Sequence, residues 1–286
     1  MTKPNPSKNI ESIYPLSPMQ QGILFEELLN PGVYFIQTLN TLVGDLREAS
    51  FQEAWKRVIE RHSSLRTVFN WERRETPLQV VCRAVKFPWA SEDWRGLSNH
   101  EQEVRLADLL RKDRRQGFEL SQAPPMRLML IRMDESRYEL IWSFHQLLLD
   151  GWSMSVVFGE VLELYEAIAD GRVSALPDSR PYRDYISWLQ QQSLAKAEAY
   201  WRKAVDGITA PTCLGRDGIA RVPSTRVSPD EMRNQDWSYS LQTFERIKGF
   251  CKQRELTLNT LVQFLSSIQL NKWPVSCSIY MTMRKW

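Results

Sequence analysis

The sequence predicts a layered α/β fold, and three observations lead there. Two strand-like runs, 126–133 and 138–145, face each other across a polar Asp134-Glu135-Ser136 turn. An amphipathic helix, from about Ser153 to Ala169, follows the second run almost at once. The chain has 286 residues, 43% of them hydrophobic, enough to bury a sizeable core without disulfide or metal staples.

Along the chain, residues 18–29 read as a helix. The next, 46–62, is marked by Phe51, Trp55, Val58 and Ile59, which fall at i, i+4, i+7 and i+8 and form one apolar stripe. Strand-like stretches follow at 65–71 and 77–83 with charged turn residues between them, then a charged helix at 98–115. In the run 138–145, Tyr138, Leu140, Trp142 and Phe144 share one face and Glu139, Ile141, Ser143 and His145 the other. Gly171 and Pro177 mark a linker at roughly 170–181. Beyond it come helices at 182–192 and 195–206, a loop rich in Pro, Gly and Ser at 207–235, a short strand near 236–241, and helices at 242–254 and 257–270. The expected division is a complete lobe at 12–172, the start of a second lobe at 173–263, and an atypical tail at 264–286.

Composition removes several functions. The 37 basic and 34 acidic side chains leave a net charge of +3 and no basic stripe, so nucleic acid is not an expected partner. No apolar run is long enough to span a bilayer. The opening MTKPNPSKNI lacks the apolar centre of a signal peptide, which places the chain in the cytoplasm as an expectation. Cys82, Cys213, Cys251 and Cys277 lack CxxC spacing, so buried reduced thiols are expected rather than zinc or disulfides.

Chemistry concentrates between Ser143 and Ser153. There a histidine, His145, leaves the end of a buried strand, and an Asp150-Gly151 turn follows five residues later. That placement suits an imidazole at a cleft acting as a base near neutral pH, with the carboxylate fixing the loop. Spacing alone favours the plainer reading, a satisfied, half-buried histidine beside an ordinary turn. The stretch Gly151-Trp152-Ser153-Met154-Ser155 lacks the closing glycine of a hydrolase nucleophile elbow, and there is no phosphate loop and no HExxH.

At these residues the sequence resembles the condensation domains of nonribosomal peptide synthetases. Tyr14 to Gly22 (YPLSPMQQG) looks like the family's opening motif, and Arg61 to Phe69 (RHSSLRTVF) is similar to its RHxxLRTxF. Phe144 to Ser153 stands where HHxxxDG belongs, and Pro181 to Trp188 (PYRDYISW) resembles the fourth motif. The resemblance implies a pair of chloramphenicol-acetyltransferase-like two-layer lobes with a tunnel between them. It also implies carrier protein domains that deliver thioesters on phosphopantetheine, adenylation modules that serve them, and no metal or bound cofactor. In the family the second histidine of HHxxxDG faces the reacting amine, and the aspartate is structural and pairs with an arginine. Carried over, His145 and Gln146 stand at the reaction centre, and Asp150 supports it with Arg66 as candidate partner. Gly151 lets the loop pass close to the substrate, and with Ser153 it lines the pocket.

The chain departs from the family in two places. The second histidine position holds Gln146, whose amide donates and accepts hydrogen bonds but takes up no proton near neutral pH. Impaired amide formation is therefore expected; the alternatives are a non-catalytic docking module and a stand-alone acyltransferase. After Phe264 the resemblance is expected to stop, and the codons for Met281 to Trp286, read in another frame, can encode Asp-Asp-Glu-Glu-Val. A frameshift that truncated a longer domain is the reading of the tail.

Overall fold

The strand expected at 138–145 is Arg137–His145 in the structure, a computed structural model that describes residues 9–174, 176–207 and 240–262. In chain order the elements are β1 (Ile10–Pro15), α1 (Pro18–Leu29), β2 (Phe35–Val43), α2 (Glu48–Arg61), a 3₁₀ turn (Ser63–Arg66), β3 (Thr67–Asn70), β4 (Leu78–Cys82) and β5 (Trp89–Asp93). They continue with α3 (Asn99–Gln116), β6 (Met126–Arg132), β7 (Arg137–His145), α4 (Gly151–Ala169), α5 (Tyr182–Gln190), α6 (Leu194–Ala204) and α7 (Leu241–Gln253). Two compact units divide between Gln192 and Ser193.

The first unit holds a four-stranded sheet in the order β2-β7-β6-β5 and a three-stranded sheet in the order β1-β4-β3. In the larger sheet β7 runs antiparallel to both neighbours, while β5 joins β6 in parallel. The two faces of β7 separate as its alternation predicts. Tyr138, Leu140, Trp142 and Phe144 pack with the α2 stripe of Phe51, Trp55, Val58 and Ile59 and with Val157, Val161 and Leu164 of α4. Trp55 meets Trp142 edge-on, with ring centroids 5.1 Å apart. On the other face Ile141 joins Ile131, Met133 and Trp94 beneath Leu106, Leu109 and Leu110 of α3.

Strands β1, β2 and β5 have no counterpart in the sequence reading. In β2 each face of FIQTLNTLV mixes apolar and polar residues, so no clean alternation marks it. Yet it pairs with β7 residue for residue, from Phe35 opposite His145 to Val43 opposite Arg137. The expected strand 65–71 is shortened, because Ser63–Arg66 close a 3₁₀ turn before β3 begins at Thr67.

Helix α5 lies beyond the expected linker and still belongs to the first unit. Its Ile186 is buried against Tyr14 of β1 and Val81 of β4, with Tyr182 alongside. In the second unit Ser193 caps α6 by accepting from the Lys196 N–H at 3.3 Å, and Ser240 caps α7 by accepting from the Thr243 N–H at 3.2 Å. The expected strand near 236–241 gives way at its described end to α7, which starts at Leu241. The loop from 208 onward, the later part of the helix expected at 257–270 and the tail 264–286 lie outside the described residues. Among the described residues Cys82 and Cys251 are free thiols, and no helix is long and apolar enough to cross a membrane.

Candidate active site

The site is the turn that joins β7 to α4. Three leucines, Leu147, Leu148 and Leu149, are buried and anchor it in the core, leaving Gln146 half-buried between them and His145. The anchoring is reinforced from α1. Ser17 and Gln20 form a reciprocal capping box, in which Gln20 Oε1 accepts from the Ser17 N–H at 3.0 Å and Ser17 Oγ accepts from the Gln20 N–H at 3.1 Å. The remaining end of the same side chain, Gln20 Nε2, donates to the Leu147 carbonyl at 3.1 Å. One residue thus starts a helix and holds the turn.

His145 is 2% exposed. Its Nδ1 accepts from the Leu147 N–H at 3.2 Å. Nε2 stands 3.4 Å from Glu27 Oε2, longer than a well-formed hydrogen bond, and has no closer polar partner among the described residues. Both ring nitrogens therefore face the protein interior, where Nδ1 holds the Leu147 N–H of the turn. Gln146 is fixed through its backbone, whose N–H donates to the Tyr34 carbonyl at 3.0 Å. Its carboxamide makes no hydrogen bond among the described residues and is the free polar group at the strand end.

Asp150 is the N-cap of α4, and its Oδ1 accepts from the Ser153 N–H at 2.8 Å. Hydrogen bonding by Ser153 holds the Asp150 carboxyl below its ordinary value. Gly151 opens the helix; a methyl group there would meet nothing within 4 Å, so among the described residues no neighbour demands a glycine. Ser153 sits at the helix start beside Asp150 and serves the cap.

The expected pair of Arg66 with Asp150 does not form. Arg66 is buried and donates to Glu11 Oε2 at 2.6 Å, to the Ile59 carbonyl at 3.2 Å and to the Cys82 carbonyl. The reason is local. The 3₁₀ turn Ser63–Arg66 sits between the end of α2 and the β1-β4-β3 sheet, so the guanidinium finds its acceptors there.

The structure adds three residues that motif reading did not assign to the site. Glu27 and Tyr34 support the strand end, and Tyr182 of α5 lies close enough to Asp150 to feel its charge. Burial raises the Tyr182 phenol above its ordinary value, against a hydrogen bond with Ser17 that lowers it and with smaller contributions from Tyr185 and Asp150. Glu27 left no signal in the sequence because a carboxylate on a helix face usually means solvation. Among the described residues no group of three or more His, Cys, Asp or Glu side chains is arranged to hold a metal ion.

The fold has solved counterparts. The starter condensation domain of rhizomide synthetase superposes with a TM-score of 0.62 at 22% identity, over 71% of this chain and 50% of that one. This is the chloramphenicol-acetyltransferase-like α/β fold that the motifs implied. The family model described as Condensation domain matches residues 10–283, and the chain belongs to that family of nonribosomal peptide synthetase domains. A linear gramicidin synthase from Brevibacillus parabrevis is 38% identical over 270 residues, covering 94% of this chain and 4% of that protein. Bacitracin synthase 1 of Bacillus licheniformis is 33% identical over 266 residues, covering 92% of this chain and 5% of that protein. The chain thus spans a small part of these curated relatives and half of the solved domain. The family match runs past Phe264, to residue 283.

Proposed function

We propose that the chain is the N-terminal part of a condensation domain whose family reaction joins two carrier-bound groups. The acceptor amine attacks the carbonyl of the donor thioester, the C–N bond forms, the C–S bond breaks, and the donor carrier's phosphopantetheine thiol leaves. The partners of this reading are carrier protein domains, with adenylation modules loading them, and the protein itself needs no bound cofactor. The observation that carries it is the turn from His145 to Gly151, clamped from α1 and delivering one free polar side chain at the end of β7.

That side chain is Gln146, and this is where the chemistry is impaired. A carboxamide can orient the amine or polarise the thioester carbonyl, but it cannot accept the proton the amine loses. His145 does not replace it, because both of its ring nitrogens face inward. What remains is catalysis by positioning. Gln146→His, placed in a full-length condensation domain and assayed with donor- and acceptor-loaded carrier proteins, is expected to raise amide formation about a hundredfold. An unchanged rate overturns the reading of a lapsed enzyme. The same residue favours a second reading, a docking module that holds carrier proteins or tailoring enzymes without turnover. Saturable carrier binding with no amide product from either variant would establish it.

A further inference from the structure

The contacts around Gln146 trace back to one carboxylate. Glu27 lies in the last turn of α1, with its side chain 14% exposed. Its Oε1 accepts from the Gly32 N–H at 2.7 Å, and its Oε2 accepts from the Tyr34 N–H at 3.2 Å. The same Oε2 faces His145 Nε2 at 3.4 Å. From there two paths reach the peptides on either side of Gln146. Through Tyr34, whose N–H is held by Glu27, the Tyr34 carbonyl accepts the Gln146 N–H at 3.0 Å. Through the imidazole, Nδ1 accepts the Leu147 N–H at 3.2 Å.

The second path sets a condition on the ring. A ring nitrogen that accepts from an amide N–H carries no hydrogen, so the proton of the neutral imidazole belongs on Nε2, against Glu27. The opposite tautomer would point an Nδ1–H at the Leu147 N–H, donor against donor. An ionised carboxylate can only accept, so it favours the first tautomer without ambiguity. Burial would raise the Glu27 carboxyl, but the facing His145 ring and the Gly32 and Tyr34 N–H groups outweigh it and hold the group below its ordinary value, in the accepting form.

We propose that Glu27 is a positioning residue of this turn, which selects the Nε2–H tautomer of His145 and thereby fixes the backbone on both sides of Gln146. Its consequence for catalysis rests on the reading of the turn as the reaction centre; the tautomer does not.

The test is nitrogen NMR of the full chain labelled with ¹⁵N in histidine, with His62→Gln and His100→Gln variants to assign the signals, together with hydrogen exchange at the Gln146 and Leu147 amides. In the wild type, His145 is expected to show a protonated Nε2 and an unprotonated Nδ1. A proton on Nδ1, or an averaged pair, overturns the proposal without any variant at Glu27. In Glu27→Gln the carboxamide can turn its NH₂ toward the ring, so averaged or exchanged nitrogen signals are expected. Exchange at both amides is expected to quicken about tenfold or more, the factor that 1.4 kcal/mol of lost protection corresponds to. A folded Glu27→Gln chain with wild-type signals and wild-type protection overturns the proposal. If that variant does not fold, Glu27→Asp is read instead: a retained Nε2–H supports the proposal, and an averaged ring in a folded chain overturns it. Failure of the Gln146→His assay would leave these spectra untouched, so the two readings fail separately.

Discussion

Gln20 Nε2 meets the Leu147 carbonyl at 3.1 Å across 127 residues of sequence. Helix α1 therefore carries part of the support for a turn that the chain reaches only after building both sheets. The opening motif and the HHxxxDG-like motif are two ends of one hydrogen-bonded unit, which explains why an amide, with an accepting oxygen and a donating NH₂, is the fitting side chain at position 20. Oε1 closes the capping box and Nε2 holds the turn.

Replacing that residue separates the two roles. Gln20→Glu keeps the acceptor for the Ser17 N–H but sets a carboxylate against the Leu147 carbonyl, leaving that buried acceptor unpaired. It is expected to cost about 1–3 kcal/mol, and Gln20→Ala, which loses both ends, is expected to cost at least as much. Denaturant unfolding measures both. A Gln20→Glu chain as stable as the wild type would show that the Leu147 contact contributes nothing.

The Trp55–Trp142 contact lies at the centre of the larger core, and both rings are fully buried. Trp55→Ala is expected to lose about 3–5 kcal/mol from lost burial and the cavity left behind. The check is the shift in the urea midpoint, which should be far larger than for truncation of an exposed aromatic such as Trp152.

Asp150→Ala removes the cap of α4 and should cost about 1 kcal/mol near neutral pH. The sign of its pH dependence follows from the carboxyl being held below its ordinary value when folded. The stabilisation is complete above the unfolded value, about 4, and is lost as pH falls through the lower folded value. The stability gap between wild type and Asp150→Asn should therefore narrow below about pH 4. A gap that widens on acidification would contradict the capping role.

Arg66 offers a test of its partner. In a double-mutant cycle, Arg66→Ala with Asp150→Ala should be additive within about 0.5 kcal/mol, because the two share no contact. Arg66→Ala with Glu11→Ala should depart from additivity, because the two side chains meet at 2.6 Å. The reverse pattern would restore the expected Arg66–Asp150 pair.

Much of the larger core was legible from periodicity alone. The α2 stripe and the two faces of β7 depend on how residues three and four apart, or two apart, share a side, and local geometry determines that. The candidate site was legible as a motif: His145, Gln146, Asp150, Gly151 and Ser153 stand in one turn and the helix start that follows it. Their roles were less so. His145 reads as a candidate base until the ring is seen to be buried, with Nδ1 held by the Leu147 amide and Nε2 turned toward Glu27.

Strands β1, β2 and β5 and the partner of Arg66 belong to another category. Strand β2 is a strand because β7, much later in the chain, lies beside it and supplies its hydrogen-bond ladder. Arg66 binds Glu11 because the 3₁₀ turn and the smaller sheet bring them together. By itself, the sequence determined the layered α/β class, the core-facing stripes, the family motifs and the glutamine at the second histidine position, all of them properties of neighbouring residues. The tertiary structure decided which buried donor meets which acceptor, because partners far apart in the chain are chosen only when folding closes the loops between them.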